Sequence, residues 1–278
     1  MLYRTIGAIA MAAALSAATA PAQAQVDAKY PDWKGQWVRL GGVQGGQWDP
    51  TKPPGRGQQP PLTAEYQAIW EVALANRAPG AGGIPTGSCL PPGMPQTMIN
   101  YESMEIIVMP DTTYLMIGFM NEFRRVFSDG RKWPDDIEPS YTGYSIGHWE
   151  DTDGDGKYDT LVAETRGMKG PRTFDASGMP LHKDNETVVM ERISLDKANS
   201  DILHDEVTTT DHALTRPWTV TQSYRRERNP VWTEYVCAEN NQQVMIGAES
   251  YTVSEDGYLK PTRKDQPAPD LRYFNRRR

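Results

Sequence analysis

The sequence predicts an all-β protein, an antiparallel meander closing into a barrel, with one helix near the N-terminus and long Pro/Gly loops. Three observations carry this expectation. From Met104 onward, strand-length segments follow one another: MEIIVM, TTYLMIGFM, EFRRVFSDGR, TVVMERISL, HDEVTTTD, PWTVTQSYRRER and WTEYVC. Pro110-Asp111, Asp129-Gly130 and Arg216-Pro217 punctuate them, and no helix-length periodicity interrupts the series. Within it, Thr142 to Thr165 holds two runs of period two joined by an Asp/Gly-rich segment, the pattern of a β-hairpin whose joint is longer than a turn needs. Finally, about eight sequential strands suffice to close a barrel and remove exposed edges.

Taken in order, the chain opens with Arg4 before an apolar run from Ile6 to Ala18, and Ala22-Gln23-Ala24 supplies the small residues of a cleavage site. Residues 1–24 therefore read as a secretory signal, with the mature protein starting at Gln25 in the periplasm or outside the cell. No later stretch approaches the roughly 20 apolar residues of a spanning helix, so no transmembrane segment is expected in the mature chain. Export makes Cys89 and Cys237, the two cysteines of the chain, natural disulfide partners, the alternative being two unpaired buried thiols. Neither lies in a CxxC pattern, which argues against a redox dithiol or a thiolate zinc site.

Residues 25–265 are expected to form a single β domain and residues 266–278 a basic, solvated tail. The net charge of -7 argues against nucleic-acid binding. In DWKGQWVRL, Gly35 stands two residues before Trp37, which resembles the start of the first strand in lipocalin-like (calycin-type) barrels. There the glycine lets the chain approach closely and the tryptophan plugs the closed end. A Pro/Gly connector from Pro50 leads to LTAEYQAIWEVALANR, Leu62 to Arg77, the helix. Thr63 caps it, Glu65 sits in its first turn, and Leu62, Tyr66, Ile69, Ala73 and Leu74 form an apolar stripe. A second Pro/Gly segment, Ala78 to Pro95, carries Cys89; pinned by it, these connectors would cover a barrel mouth.

In the hairpin, Tyr144, Ile146, His148 and Glu150 share one strand face and Ser145, Gly147 and Trp149 the other. GYSIGHWE followed by DTLVAET, with NEFRRVFSDGR upstream and EYVCAEN downstream, resembles a widespread family of exported bacterial proteins whose members run WEGDTLVVET without interruption. The resemblance covers about Leu62 to Asn240. It implies a lipocalin-like or related β fold and an extracytoplasmic location, and it transfers no catalytic residue. Here DTDGDGKY stands where the family has a single Gly, so the metal-loop argument is made for this protein and not for the family.

That insert places Asp151, Asp153, Asp155, Gly156 and Asp159 at positions one, three, five, six and nine of a DxDxDG loop, with the carbonyl of Lys157 at seven. Calcium is the expected cofactor there. Position twelve is Val162 rather than a bidentate Glu, so a neighbour such as Glu150 would complete the shell; the alternative is a solvated acidic turn. His148 beside Glu150 is a candidate acid/base arrangement, or else a histidine hydrogen-bonded within the sheet. Glu191 shares parity with Val189, Ile193 and Leu195, which puts a carboxylate on an apolar face. One of Arg124 and Arg125 must point inward to meet it, as a structural ion pair or as part of a site. Tyr144, on the face of His148, and His182, in a loop within reach of a mouth, complete the candidates. His204 and His212 read as surface residues, and no HExxH or paired-His spacing marks a zinc site.

GxSxG, Walker A and GxGxxG patterns are absent, which leaves serine-hydrolase, NTPase and dinucleotide readings without support. Two expectations follow. The first is an extracytoplasmic barrel binding a small apolar or aromatic molecule. The rival is a cofactor-independent lyase, isomerase or hydrolase with His148 as base, Glu191 as acid and an inward arginine steadying anionic charge, which requires the three to converge in one cavity.

Overall fold

The period-two segments do pair into a closed barrel. In the computed structural model the strands are β1 (Gln36–Arg39), β2 (Met104–Val108), β3 (Thr112–Ile117), β4 (Glu122–Phe127), β5 (Tyr144–Glu150), β6 (Thr160–Arg166), β7 (Val188–Leu195), β8 (Ile202–Thr210) and β9 (Trp218–Glu227). Each pairs with the next, and β9 pairs with β1 through Gln36↔Glu227 to Arg39↔Tyr224, which closes the ring. The structure describes residues 29–41, 47–77, 89–99, 102–170, 172–232, 234–240, 242–246, 249–262 and 264–270. The expected signal segment 1–24, its cut after Ala24 and most of the basic tail lie outside the described residues.

One ladder departs from the antiparallel meander. β4 and β5 run parallel, with Val126↔Ser145 and Phe127↔Ile146 in register. A ring of nine strands cannot be antiparallel throughout, because each antiparallel neighbour reverses direction and an odd ring returns reversed. A parallel pair needs a crossover of roughly a dozen residues or more, and 128–143, with Pro134 and Pro139, supplies it.

Alternation sends every second side chain inward. Leu115, Val126, Leu161, Ala163, Val189, Ile193, Leu203 and Val207 are buried together. Gly147 belongs to this inner face: a Cβ there would stand 2.5 Å from the Val162 carbonyl oxygen and 2.7 Å from the Val126 side chain. The motif glycine is thus a packing requirement. At one end, Trp37 is fully buried, donates its indole N–H to the Trp33 carbonyl at 3.0 Å and carries the Arg226 guanidinium over its ring at 4.5 Å. Gly35 adopts φ 106°, a conformation that L side chains rarely adopt. Trp33 packs on Trp149 at 5.0 Å, so this end is plugged by aromatic rings, as the Gly-x-Trp start predicts.

The other end is covered by the connectors. The helix α1 (Ala64–Arg77) forms where expected, and the Thr63 hydroxyl accepts the Tyr66 N–H at 3.4 Å. Its buried side is Tyr66 and Trp70, whereas Ile69 is exposed. The stripe is therefore rotated from the one read in sequence, because Trp70 buries far more area than Ile69. Trp48, Phe174 and Trp218 meet at 5.2 to 6.4 Å beneath this cover.

The described residues of WTEYVC do not form a strand. Cys237 opens the one-turn helix α2 (Cys237–Asn240), and Pro230 precedes a stretch outside any sheet. Cys237 is bonded to Cys89, with 5.7 Å between their Cα atoms. The disulfide thus ties the Pro/Gly connector to a short helix beyond the barrel. After it, β10 (Gln243–Ile246), β11 (Glu249–Val253) and β12 (Leu259–Pro261) form a separate three-stranded sheet, which the sequence pattern does not predict. Among the described residues no helix is long and apolar enough to cross a membrane.

Candidate functional site

Among the described residues, three places in this framework gather chemically capable side chains, and they lie apart. The first is inside the barrel. Arg124 points inward from β4 while Arg125 points out, and the Arg124 guanidinium donates to both oxygens of Glu191 at 2.9 and 2.6 Å. Both side chains are fully buried. Thr165 accepts a further Arg124 N–H at 3.3 Å and exchanges a hydrogen bond with Ser145 at 2.8 Å. Burial draws the Arg124 pKa down, but the charge and hydrogen bonds of Glu191 outweigh it and the net shift is upward.

Beside this pair lies Asp205, opposite Gln222 and Ile193 in the ladders of β8. It is fully buried, and neither of its carboxyl oxygens has a hydrogen-bond partner among the described residues. Burial, and then the charge of Glu191, push its pKa well above the usual carboxylate range. The Arg124 Nε and the hydroxyls of Thr113 and Thr209 are also buried and unpartnered. Connector residues reach in around this polar centre: Tyr224 donates its hydroxyl to the Met98 carbonyl at 2.6 Å, and Gln222 donates to the Trp48 carbonyl at 2.7 Å while accepting from Arg39 at 3.1 Å. Sequence parity found Glu191 and Arg124 but missed Asp205, although Leu203, Asp205 and Val207 carry the same signal, a carboxylate on an apolar face.

The acid/base pairing of His148 with Glu191 is not formed. His148 stands opposite Val162 and so beside Arg192, on the outer surface, while Glu191 stands opposite Ala163 on the inner one. The one-residue offset in register puts the two on opposite sides of the sheet. His148 approaches Glu150 at 3.3 Å, and Arg192 donates to the other Glu150 oxygen at 2.7 Å, an exposed surface trio. Tyr144 is also outside, accepting from Arg131 at 3.3 Å and packing on Phe127 at 5.3 Å.

The second place is the hairpin tip at the Trp37 end. Carboxylates of Asp151, Asp153 and Asp155 lie within 4.8 Å of one another and could hold a divalent cation. Asp151 accepts the N–H groups of Gly154 and Gly156 at 2.7 and 2.9 Å, and Asp155 that of Lys157 at 2.8 Å. Asp159 is turned to Thr152 and Thr160, at 2.7 and 2.6 Å. Glu150, the neighbour expected to complete the shell, is hydrogen-bonded to Arg192.

The third place is at the covered end. His182, in the loop before β7, and His212, in the turn after β8, aim their Nδ1 atoms at the same Asp184 oxygen, at 2.7 and 2.5 Å. Partial burial raises the Asp184 pKa, but hydrogen bonds from His212, the Glu186 N–H and His182 outweigh it and hold it at about 2. The His182 ring packs on buried Tyr66 of α1 at 5.4 Å, and the His182 N–H is accepted by Asp211 at 2.9 Å. Sequence reading placed His182 near a mouth but treated His212 as a lone surface residue. No spacing rule connects positions that meet only when two barrel turns fold side by side. No family model matches the sequence, and no curated protein matches it.

Proposed function

We propose that the protein is an extracytoplasmic small-molecule-binding barrel, an exported relative of the proteins its GYSIGHWE and DTLVAET motifs resemble. Its ligand is a small, mostly apolar or aromatic molecule carrying a hydrogen-bonding group, held inside the barrel against Asp205. The observation that carries this reading is Asp205 itself. A buried carboxyl with two unpartnered oxygens costs on the order of 1 to 3 kcal/mol or more, a cost that a bound polar group would relieve. The neighbouring Arg124–Glu191 pair and the apolar walls supply the mixture typical of ligand pockets, few polar groups among many apolar ones. The disulfide agrees with an oxidising compartment. Access would run through the connectors over the Trp48–Phe174–Trp218 cluster, since the Trp37 end is plugged.

Native mass spectrometry of the mature protein purified without denaturation, followed by thermal-shift screening of hydrophobic metabolites, tests this. A bound small molecule whose affinity drops on Asp205→Leu supports it. A crystal structure in which ordered water alone satisfies Asp205 and side chains fill the interior overturns it.

A further inference from the structure

We infer that His182, Asp184 and His212 form a binding site for a divalent transition metal such as zinc, at the covered end of the barrel and separate from its interior. The ligand types are right: two imidazoles and one carboxylate are a common nitrogen and oxygen set for zinc, and this set is soft enough to prefer it to calcium or magnesium. So is the placement. One atom from each residue lies within 4.8 Å of the other two, and both histidines present Nδ1 rather than pointing their rings apart.

The contacts around the His182 Nδ1 leave room for a positive charge, a proton or a metal, between it and Asp184. Its Nδ1 accepts the Asp184 N–H at 3.2 Å, which requires a lone pair there, yet the same atom is 2.7 Å from an Asp184 carboxylate oxygen. Two lone-pair bearers that close repel unless a positive charge lies between them. A proton or a metal on Nδ1 removes the repulsion, and either takes the lone pair that now accepts the Asp184 N–H; a metal held by Nδ1 and the carboxylate engages both histidines at once. Tetrahedral zinc would separate its ligand atoms by about 3.3 Å, a small opening from the distances seen.

The support beneath the site is a hydrogen-bonded network. Asp211, buried, accepts the His182 and Ala213 N–H groups at 2.9 and 2.8 Å and the Thr187 hydroxyl at 2.5 Å. Arg172 in turn donates to Thr187. The loop before β7 and the turn after β8 are therefore positioned from below, as ligating side chains require. Glu186, with an oxygen 4.0 Å from the His212 Nδ1, is within reach of the fourth position. A metal here would staple the start of β7 to the β8–β9 turn, beside the segment where the Thr63 N–H is accepted by Ala213.

The test uses untagged mature protein stripped with chelator, because a polyhistidine tag would compete. Titration with zinc by calorimetry should show one equivalent bound, and cobalt should give the intense visible absorption of a tetrahedral site. His212→Ala, a surface change that leaves the fold intact by circular dichroism, should weaken zinc binding at least about tenfold and abolish the cobalt bands. Asp184→Asn should do the same, whereas Asp153→Ala, at the hairpin tip, should change neither. Absence of stoichiometric zinc binding, or binding that survives His212→Ala together with Asp184→Asn, overturns the inference and leaves a proton-bridged histidine pair.

Discussion

Arg124 and Glu191, from strands that are not neighbours in the sheet, meet across the inside of the barrel through two hydrogen bonds of 2.9 and 2.6 Å with both side chains fully buried. Removing one partner strands a charge away from water. Arg124→Met or Glu191→Leu alone should destabilise the protein by about 3 to 5 kcal/mol, and the double replacement should recover much of that loss. Denaturant unfolding of the three variants measures it. Near-additive losses would show that the two residues do not act as a pair.

Asp205 makes stability depend on pH in the direction opposite to a salt-bridged carboxylate. Burial and Glu191 raise its folded pKa, so the native state keeps a proton that the unfolded chain releases above about pH 4. Its contribution is fully present below that point and is lost as pH rises toward the folded pKa. Asp205→Asn should flatten this decline, matching the wild type near about pH 4 and exceeding it near about pH 7. Unfolding free energies across that window check it; a variant no more stable at neutral pH contradicts the assignment.

Gly147 is required by the Val162 carbonyl and the Val126 side chain that a Cβ would strike. Gly147→Val should cost on the order of 1 to 3 kcal/mol as overpacking, or prevent folding. Circular dichroism and a thermal melt suffice, and an unchanged midpoint would mean that the inner face is looser than drawn.

The Cys89–Cys237 bond closes a loop across 148 positions, so removing it should cost about 4 to 5 kcal/mol in the chain-entropy account, less any native strain. Mass spectrometry of denatured, unreduced protein after alkylation should find no free thiol. The double Cys→Ser variant should melt lower, and equal midpoints would place the connector's stability elsewhere.

Calcium is proposed for the Asp151 hairpin tip, with weak affinity, because Glu150 is engaged by Arg192 and Asp159 by two threonines. The melting temperature should rise only at roughly millimolar calcium and should not rise in Asp153→Ala. Identical melts in calcium and in chelator would leave an acidic turn.

Period-two alternation and turn punctuation determined most strands of the barrel and the barrel itself, because a half-buried sheet imposes its pleat directly on neighbouring residues. Parity alone assigned Glu191 and one arginine of the Arg124–Arg125 pair to the interior, and two cysteines leave one intramolecular pairing. What parity could not decide is where different strands stand against each other. The register of β5 to β7 put His148 outside and Glu191 inside, an odd ring forced β4 and β5 to run parallel, and the ladders of β8 set Asp205 beside a carboxylate two positions from its own partner. The His182–Asp184–His212 cluster arises the same way, from loops distant in sequence that closure of the barrel brings to one end. Such neighbours are fixed by the balance of packing over the whole core, which no local pattern in the chain records.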